Sequence, residues 1–407
     1  MTQIAMQTQR QLERDETAHA ALTAARRLLV LGRDREAADA FVAAGTLAGV
    51  DQAALYEGLA QAVRNQGKIE PALQLLDFGL QRFPGHASLR FLRSLLLLGN
   101  GQFREGWPEY EMRLKTPMRC YLPRAVTWPR LVTTELLGNK KILIWSEQGF
   151  GDEIMFASLI QPLSGFCNLT FECSRDTAPL FRRSFPGVRV FPVELSGAMP
   201  EALHGESFDY ECPLGSLPLA LQLPGIYQHQ AETYLKTDPQ LTADIRALLK
   251  ATAQGRRIVG VSWRGGTGAT RQVARSLSLP QLDPILNVPG ILFVALQHDM
   301  TLAELQTIPH ELLSWPHLVK QVDSLAALIG ACDEIVTVCG TNVHLAGAMG
   351  KPVTVLAPHV PEWRYLFKGE NMPWYRNVKV HRQPEYGKWE PVIAQVADNL
   401  RSEIPCE

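Results

Sequence analysis

A repeat in the first 115 residues constrains this chain more than any other feature. Three segments align, beginning at Leu31-Gly32, Gln66-Gly67 and Asn100-Gly101, so that glycine recurs with lags of 35 and 34 residues. A small residue follows five positions later each time, at Ala37, Ala72 and Gly106, and a large apolar or aromatic one after that, at Phe41, Leu76 and Tyr110. Self-similarity at this period marks a supersecondary unit that buries its apolar face only by stacking on its neighbours. The glycine breaks the chain between two helices, and the small residue lets the second helix approach the first. Phe83-Pro84-Gly85-His86 closes the second unit, where a proline past a helix end is expected. The spacing predicts a helical array over residues 1–116, built to bind rather than to catalyse. An ordinary helical bundle is the alternative.

The array resembles tetratricopeptide repeats, helix-turn-helix pairs stacked as an α-solenoid. A break follows at 117–138, with Pro117, Pro123, Trp128-Pro129 and Gly138. Beyond it, short apolar runs bounded by polar residues read as buried strands: 141–145, 169–173 and 188–191, then 257–262, 292–296, 334–338 and 352–356. Helical spacing falls between them at 153–165, 176–184, 301–307, 323–331 and 342–349, with a helix and linker at 238–255. Alternation of this kind predicts parallel sheets, as two α/β domains at 139–240 and 255–407.

Composition excludes several classes. Forty basic residues against forty-one acidic ones argue against a general nucleic-acid binder. No apolar run reaches the roughly 18 residues that span a bilayer, and the start is polar. Seven cysteines without a CxxC pair suggest neither a disulfide framework nor a zinc ribbon. The expectation is a reduced, cytoplasmic protein. The sequence has no HExxH, Asp-x-Asp, GxSxG or GxxxxGK[ST] motif, so no metal is expected and hydrolase and P-loop chemistry recede.

Four stretches can carry chemistry. Ser146-Glu147-Gln148-Gly149-Phe150-Gly151-Asp152-Glu153 follows a predicted strand and precedes a helix, which sets it at the carboxyl edge of a parallel sheet, where ligands bind. Its carboxylates offer a general base; equally, Asp152 caps the helix. Val261-Ser262-Trp263-Arg264-Gly265-Gly266-Thr267-Gly268 is a glycine-rich loop led by an arginine, with Arg271 and Arg275 downstream. It suits a diphosphate, or is a mobile surface loop. Cys339-Gly340-Thr341-Asn342-Val343-His344 leads from a strand into a helix. Thr341 or Asn342 is the expected N-cap, the free N–H groups suit an anion, and the His344 ring reaches the same place unless it is structural. Glu362-Trp363-Arg364-Tyr365, with Trp374, Tyr375 and Arg382, either stacks on a base or sugar or packs the C-terminal segment. Packing is the expected role of Trp374 and Trp389.

In this order the motifs "SEQGFGDEIMFASLIQPL", "GVSWRGG…RSLSLPQLDPIL" and "VCGTNVHLAGAMGKPVTVLAP…PEWRYLFKGENMPWYRNVKVHRQ" after helical repeats resemble bacterial repeat-containing glycosyltransferases. These are similar to the lipopolysaccharide heptosyltransferase superfamily of GT-B architecture. The resemblance covers nearly the whole chain. It implies a metal-independent transferase with a nucleotide sugar as co-substrate, and a protein or glycan acceptor presented by the repeats. It implies that Asp152 is the acceptor base and that Arg264, Gly265, Thr341, Asn342 and His344 hold the donor phosphates. Further acceptor or sugar contacts are expected at Glu147, Gln148, Gly149, Gly151, Glu153, Arg275, Gln297, Glu362, Trp363 and Arg364. One position departs from the pattern: many relatives carry Asp-Thr where this chain has Cys339-Gly340. That departure keeps open a second reading, a scaffold on the same fold without activity.

Overall fold

The computed structural model describes residues 2–116, 128–133, 137–194, 200–203, 205–223, 233–267, 270–307 and 311–403, the side chains of 2–12, 202, 302, 305 and 307 excepted. Pro117 and Pro123 of the expected break and Gly268 of the glycine-rich loop lie outside them. The chain divides into two compact units, residues 1–116 with 266–274 and residues 117–265 with 275–407.

The first unit is helical: α1 (Thr2–Val30), α2 (Asp34–Ala44), α3 (Gln52–Asn65), α4 (Ile69–Arg82), α5 (Ala87–Gly99) and α6 (Phe103–Tyr110). Consecutive helices pack as pairs, α1 on α2, α3 on α4 and α5 on α6. Each pair is joined at one of the recurring glycines, Gly32, Gly67 and Gly101, whose φ values of 71°, 82° and 80° lie in the left-handed region. A side chain there is strained, so the period seen in sequence is a backbone requirement. Ala37, Ala72, Phe41, Leu76 and Tyr110 are fully buried. Asp34 of α2 accepts a 2.7 Å hydrogen bond from Asn65 at the end of α3, which links the first pair to the second. Burial pushes the Asp34 carboxyl up, and the Asn65 amide and the Arg271 charge oppose it. Among the described residues, no helix is long and apolar enough to cross a membrane.

The second unit holds two parallel sheets. The first comprises β1 (Lys141–Trp145), β2 (Asn168–Ser174), β3 (Arg189–Val193) and β4 (Tyr210–Pro213), in the order β3-β2-β1-β4. Its helices are α7 (Phe150–Ala157), α8 (Ile160–Ser164), α9 (Ala178–Ser184) and α10 (Leu217–Ala220). The second comprises β5 (Arg257–Ser262), β6 (Ile291–Ala295), β7 (Leu312–Ser314), β8 (Glu334–Val338), β9 (Val353–Ala357) and β10 (Val378–Arg382), in the order β10-β9-β8-β5-β6-β7. Its helices are α11 (Pro239–Ala253), α12 (Asp283–Leu286), α13 (Leu302–Thr307), α14 (Val322–Ala331), α15 (Thr341–Ala348) and α16 (Glu390–Ser402). Strands β6 and β8 are buried along their whole length, as expected for sheets covered on both faces. Trp263, Trp389 and the aliphatic side chains of β5, β6 and α16 form one core with them.

Three strands escape the sequence pattern. Strand β4 carries Glu211, which is buried because Trp145 Nε1 donates to one carboxylate oxygen at 2.5 Å and Arg130 Nε to the other at 2.6 Å. Arg130 belongs to the expected linker, yet it bridges to Glu211 as an added edge position. Strand β7 has only three residues, and β10 carries Lys379, His381 and Arg382.

Close approach by glycine is testable in the helical unit. A Cβ on Gly58 of α3 would fall 2.2 Å from the ring of Phe41, which has no exposed surface. Replacing a helical glycine by alanine gains about 1 kcal/mol where space allows, whereas overpacking costs about 1–3 kcal/mol. Gly58→Ala is therefore expected to lower the stability of the helical unit in denaturant unfolding followed by circular dichroism. A rise in stability would show that Phe41 yields freely.

Candidate functional site

In each sheet the strand order reverses beside the first strand, at β1/β4 and at β5/β8. A crevice opens at the carboxyl ends of strands where such a reversal occurs. The loops that leave β1, β5 and β8 there are the first three stretches singled out from sequence.

The loop after β1 runs into α7, and its N-cap is Gly149, not Asp152. Asp152 sits one turn in and makes no cap bond. Its Oδ1 instead accepts from Nε of Arg364, with both side chains more than four-fifths buried. The neighbouring acids point elsewhere. Glu147 accepts from Gln148 Nε2 at 2.9 Å and from the Gly215 N–H at 3.2 Å, which ties the loop to the end of β4. Glu153 accepts from the Ser174 N–H at 2.8 Å and from the Thr177 hydroxyl, and burial pushes its carboxyl up. Of the residues expected as acceptor or sugar contacts, Glu147 and Glu153 thus bond backbone N–H groups at the ends of β4 and β2, and Gln148 bonds Glu147. Asp152 reaches Arg364, in the segment between β9 and β10 of the second sheet.

The loop after β5 is also pinned. Gln297 Oε1 accepts from the backbone N–H of Trp263 at 3.0 Å and of Arg264 at 2.9 Å, so this expected sugar contact is spent on backbone. The Arg264 guanidinium, expected on a diphosphate, grips the Glu304 carboxylate and donates to the Asp299 carbonyl at 2.7 Å. The same grip holds Glu304 far below the ordinary carboxylate range, at about 2. Arg275 donates to the Gly265 carbonyl at 3.1 Å and lies 3.3 Å from Glu362. Gly265 must lack a side chain, since a Cβ there would fall 2.2 Å from the Cys339 carbonyl oxygen.

The loop after β8 opens α15 with Gly340 as N-cap, in extended conformation. Neither Thr341 nor Asn342 caps. Asn342 donates to Ser262 Oγ at 2.9 Å and to the Leu296 carbonyl at 3.3 Å, which staples the β5/β8 crevice. The Gly340 N–H donates to the Tyr365 hydroxyl at 3.2 Å. The N–H groups of the next residues begin the helix and have no partner within it.

Helices α7 and α15 begin against each other. A Cβ on Gly151 would meet His344 Cδ2 at 3.1 Å, His344 Nε2 at 3.7 Å and Thr341 Oγ1 at 3.7 Å. His344 is 3% exposed, and burial together with the Arg364 charge pushes its pKa down to about 3. The ring is neutral at physiological pH, so it brings no positive charge to the helix start. Its Nδ1 lies 3.3 Å from the Tyr375 hydroxyl. The floor is aromatic: Phe156, Trp363 and Trp374 pack edge to face or tilted at 5.4–6.3 Å, and the Arg364 guanidinium lies 5.0 Å from the Trp363 ring. Trp374 and Trp389 are buried in packing roles. Tyr234 was missed from sequence, and nothing in its neighbourhood singles it out. Its hydroxyl donates to the Ile154 carbonyl of α7 at 2.7 Å and lies 3.4 Å from that of Tyr375.

No family model matches this chain. It is 31% identical over 374 residues to Protein FlbA of Caulobacter vibrioides, an alignment covering 85% of this chain and 61% of that protein. The chain thus spans less than two thirds of the length of this curated relative. Solved structures similar to it include a family 9 glycosyl transferase from Veillonella parvula, at 12% identity and TM-score 0.49, covering 67% of this chain and all of that one. The E. coli ADP-heptose lipopolysaccharide heptosyltransferase II is similar at 14% identity and TM-score 0.42, over 65% of this chain and all of that one. An O-GlcNAc transferase of Thermobaculum terrenum covers 96% of this chain and 92% of its own, at 13% identity and TM-score 0.32.

The burial of His344 has a measurable consequence. Its pKa is about 3 in the folded chain against an ordinary value near 6.5 unfolded. Between these values the unfolded state holds a proton that the folded state lacks. Stability conferred by the neutral ring is therefore intact above about pH 6.5 and is lost as pH falls toward 3. Glu153, a buried acid pushed up, acts in the opposite sense, so the raw curve is not the test. Between pH 6.5 and 4.5 the wild type is expected to lose more stability in urea than His344→Phe does, with a slope steeper by up to one proton. Equal slopes would mean that the ring titrates normally.

Proposed function

We propose that this chain transfers a sugar from a nucleotide-sugar donor to a hydroxyl of a protein or glycan acceptor, without a metal. The observation that carries the reading is the meeting of two helix starts at Gly151, Thr341 and His344, with the Asp152–Arg364 pair beside them. Helix starts offer N–H groups and the positive end of a dipole to a diphosphate. Fixed dipoles of this kind stabilise charge developing on a leaving diphosphate without reorganising. The resemblance of the motif order to glycosyltransferases of GT-B architecture supports the same reading. On it, segment 139–240 is the acceptor side and 255–407 the donor side, and the tetratricopeptide-like repeats present the acceptor.

Asp152 is the acceptor base in this proposal. Arg364 holds Oδ1, and Oδ2 makes no hydrogen bond to any described residue. A carboxylate steadied at one oxygen and open at the other is oriented to take a proton from a hydroxyl. An arriving diphosphate competes for Arg364, which couples donor binding to release of the base.

Asp152→Asn keeps the size and the Oδ1 acceptor but takes no proton. Turnover of nucleotide sugar with acceptor is expected to fall by about 10²–10⁴-fold, while donor affinity does not fall, because the group competing for Arg364 has lost its charge, and the melting temperature drops with the loss of the buried ion pair. Near-normal turnover would remove Asp152 from the base role. A thermal-shift screen across nucleotide sugars comes first: no response to any of them would favour the scaffold.

A further inference from the structure

His344, Tyr375 and Tyr234 form a buried chain of hydrogen-bonding groups with one fixed end, the Ile154 carbonyl. The Ile154 carbonyl only accepts, so the single hydroxyl proton of Tyr234 is spent on it, at 2.7 Å. The Tyr375 hydroxyl, 3.4 Å from the Tyr234 oxygen and 3.3 Å from His344 Nδ1, has one proton for two acceptors; assigning it to Tyr234, whose buried oxygen otherwise goes unmet, spends it. Facing His344 Nδ1 at 3.3 Å, the Tyr375 oxygen can only accept, so Nδ1 carries the hydrogen. The ring is neutral, as its burial dictates. Its other nitrogen, Nε2, is therefore a bare lone pair. That edge of the ring faces Gly151 between the two helix starts, and no described residue donates to it.

We infer that His344 Nε2 is a hydrogen-bond acceptor for a hydroxyl of the sugar carried by the donor, and so a specificity-determining group rather than a phosphate ligand. A lone pair repels phosphate oxygen and attracts O–H, and a buried acceptor left unmet penalises any ligand that cannot donate to it. The ligand rests on the glycosyl-transfer reading; the ring's protonation rests on its burial and on the assigned chain of donors. The two are tested separately.

The first experiment is long-range ¹H–¹⁵N correlation spectroscopy on the full chain labelled with ¹⁵N-histidine at pH 7, with His344→Gln assigning the signals. His344 is expected as the neutral Nδ1–H form. An imidazolium or an Nε2–H ring would overturn the inference. Tyr234→Phe supplies a sharper readout. It frees the Tyr375 proton for Nδ1, so the ring is expected to flip to Nε2–H, whereas a merely structural histidine would not change. An unchanged ring in a folded Tyr234→Phe variant counts against the chain of donors. Should that variant not fold, the wild-type spectrum still decides.

The second experiment is calorimetric binding of UDP, GDP and ADP beside UDP-glucose, GDP-mannose and ADP-glucose. His344→Phe keeps the ring bulk without an acceptor. It is expected to weaken the preferred sugar conjugate several-fold to about tenfold, the worth of one hydrogen bond, and to leave the parent diphosphate unchanged. His344→Gln, with an amide oxygen near the Nε2 position, is expected to recover part of the loss. Equal weakening of conjugate and diphosphate, or of neither, overturns the ligand assignment and leaves the transfer reading standing. A wild type that binds no member of the panel sinks the transfer reading and the ligand assignment with it, while the spectrum independently decides the ring.

Discussion

The site depends on two close approaches, one that a side chain would block and one that it would crowd. Gly265 lets the loop after β5 lie on the carbonyl of Cys339, and Gly151 lets the start of α7 lie on His344. At Gly265 the opposing atom is backbone, which cannot swing aside. At Gly151 it is a buried ring held at its other nitrogen. The contact at Gly151 brings the carboxyl-edge loops of the two sheets within reach of one another, and that at Gly265 lays the β5 loop on the β8 loop. The Asp152–Arg364 pair spans the same gap, and it exists only because the gap is this narrow.

The aromatic floor gives these polar groups their character. Phe156, Trp363, Trp374, Tyr365 and Tyr375 are each buried to 4% exposure or less. In such surroundings charge is costly unless paired, and interactions between charges are strong. His344 resolves this by staying neutral, and Asp152 and Arg364 resolve it by pairing. Cys339 lies in the same layer as a buried thiol, pushed far up by desolvation. It is therefore a small apolar group there, not a nucleophile.

Much of the frame was legible because it obeys local rules. The repeat glycines marked the breaks between paired helices, and β5 and β8 begin and end where their apolar runs do. The loops at the strand ends were legible too, since a parallel sheet puts them on one edge. What was not legible is which way each polar side chain turns. Arg264 reads as a free cation after a strand, yet its partners Asp299 and Glu304 lie 35 and 40 residues on. Gln297 reads as a sugar contact and is consumed by two backbone N–H groups. Glu147 and Glu153 flank the turn symmetrically in sequence but bond the chain after β4 and at the end of β2, on either side of β1. Sequence spacing carries no information on such long-range pairings. Strand β4 was hidden for a related reason: its Glu211 is tolerable inside only because Trp145 and Arg130 meet it.

Charge at the crevice follows from these pairings. Arg264 is neutralised by Glu304, Arg275 lies against Glu362, Arg364 is matched by Asp152, and His344 is neutral. Side chains therefore supply little net positive charge at the point where α7 and α15 meet. What remains there is the backbone: first-turn N–H groups from two helices, whose partial charges need no counterion and cannot be titrated away. A diphosphate suits such a place better than a metal ion would, because the field is positive before any ligand arrives. It also follows that the acidic and basic side chains here are more readily exchanged among partners than added to, so a ligand that takes Arg364 must leave Asp152 unmatched. A carboxylate unmatched in an apolar floor gains most by finding a proton, which on the proposed transfer reaction is the one an acceptor hydroxyl would give up.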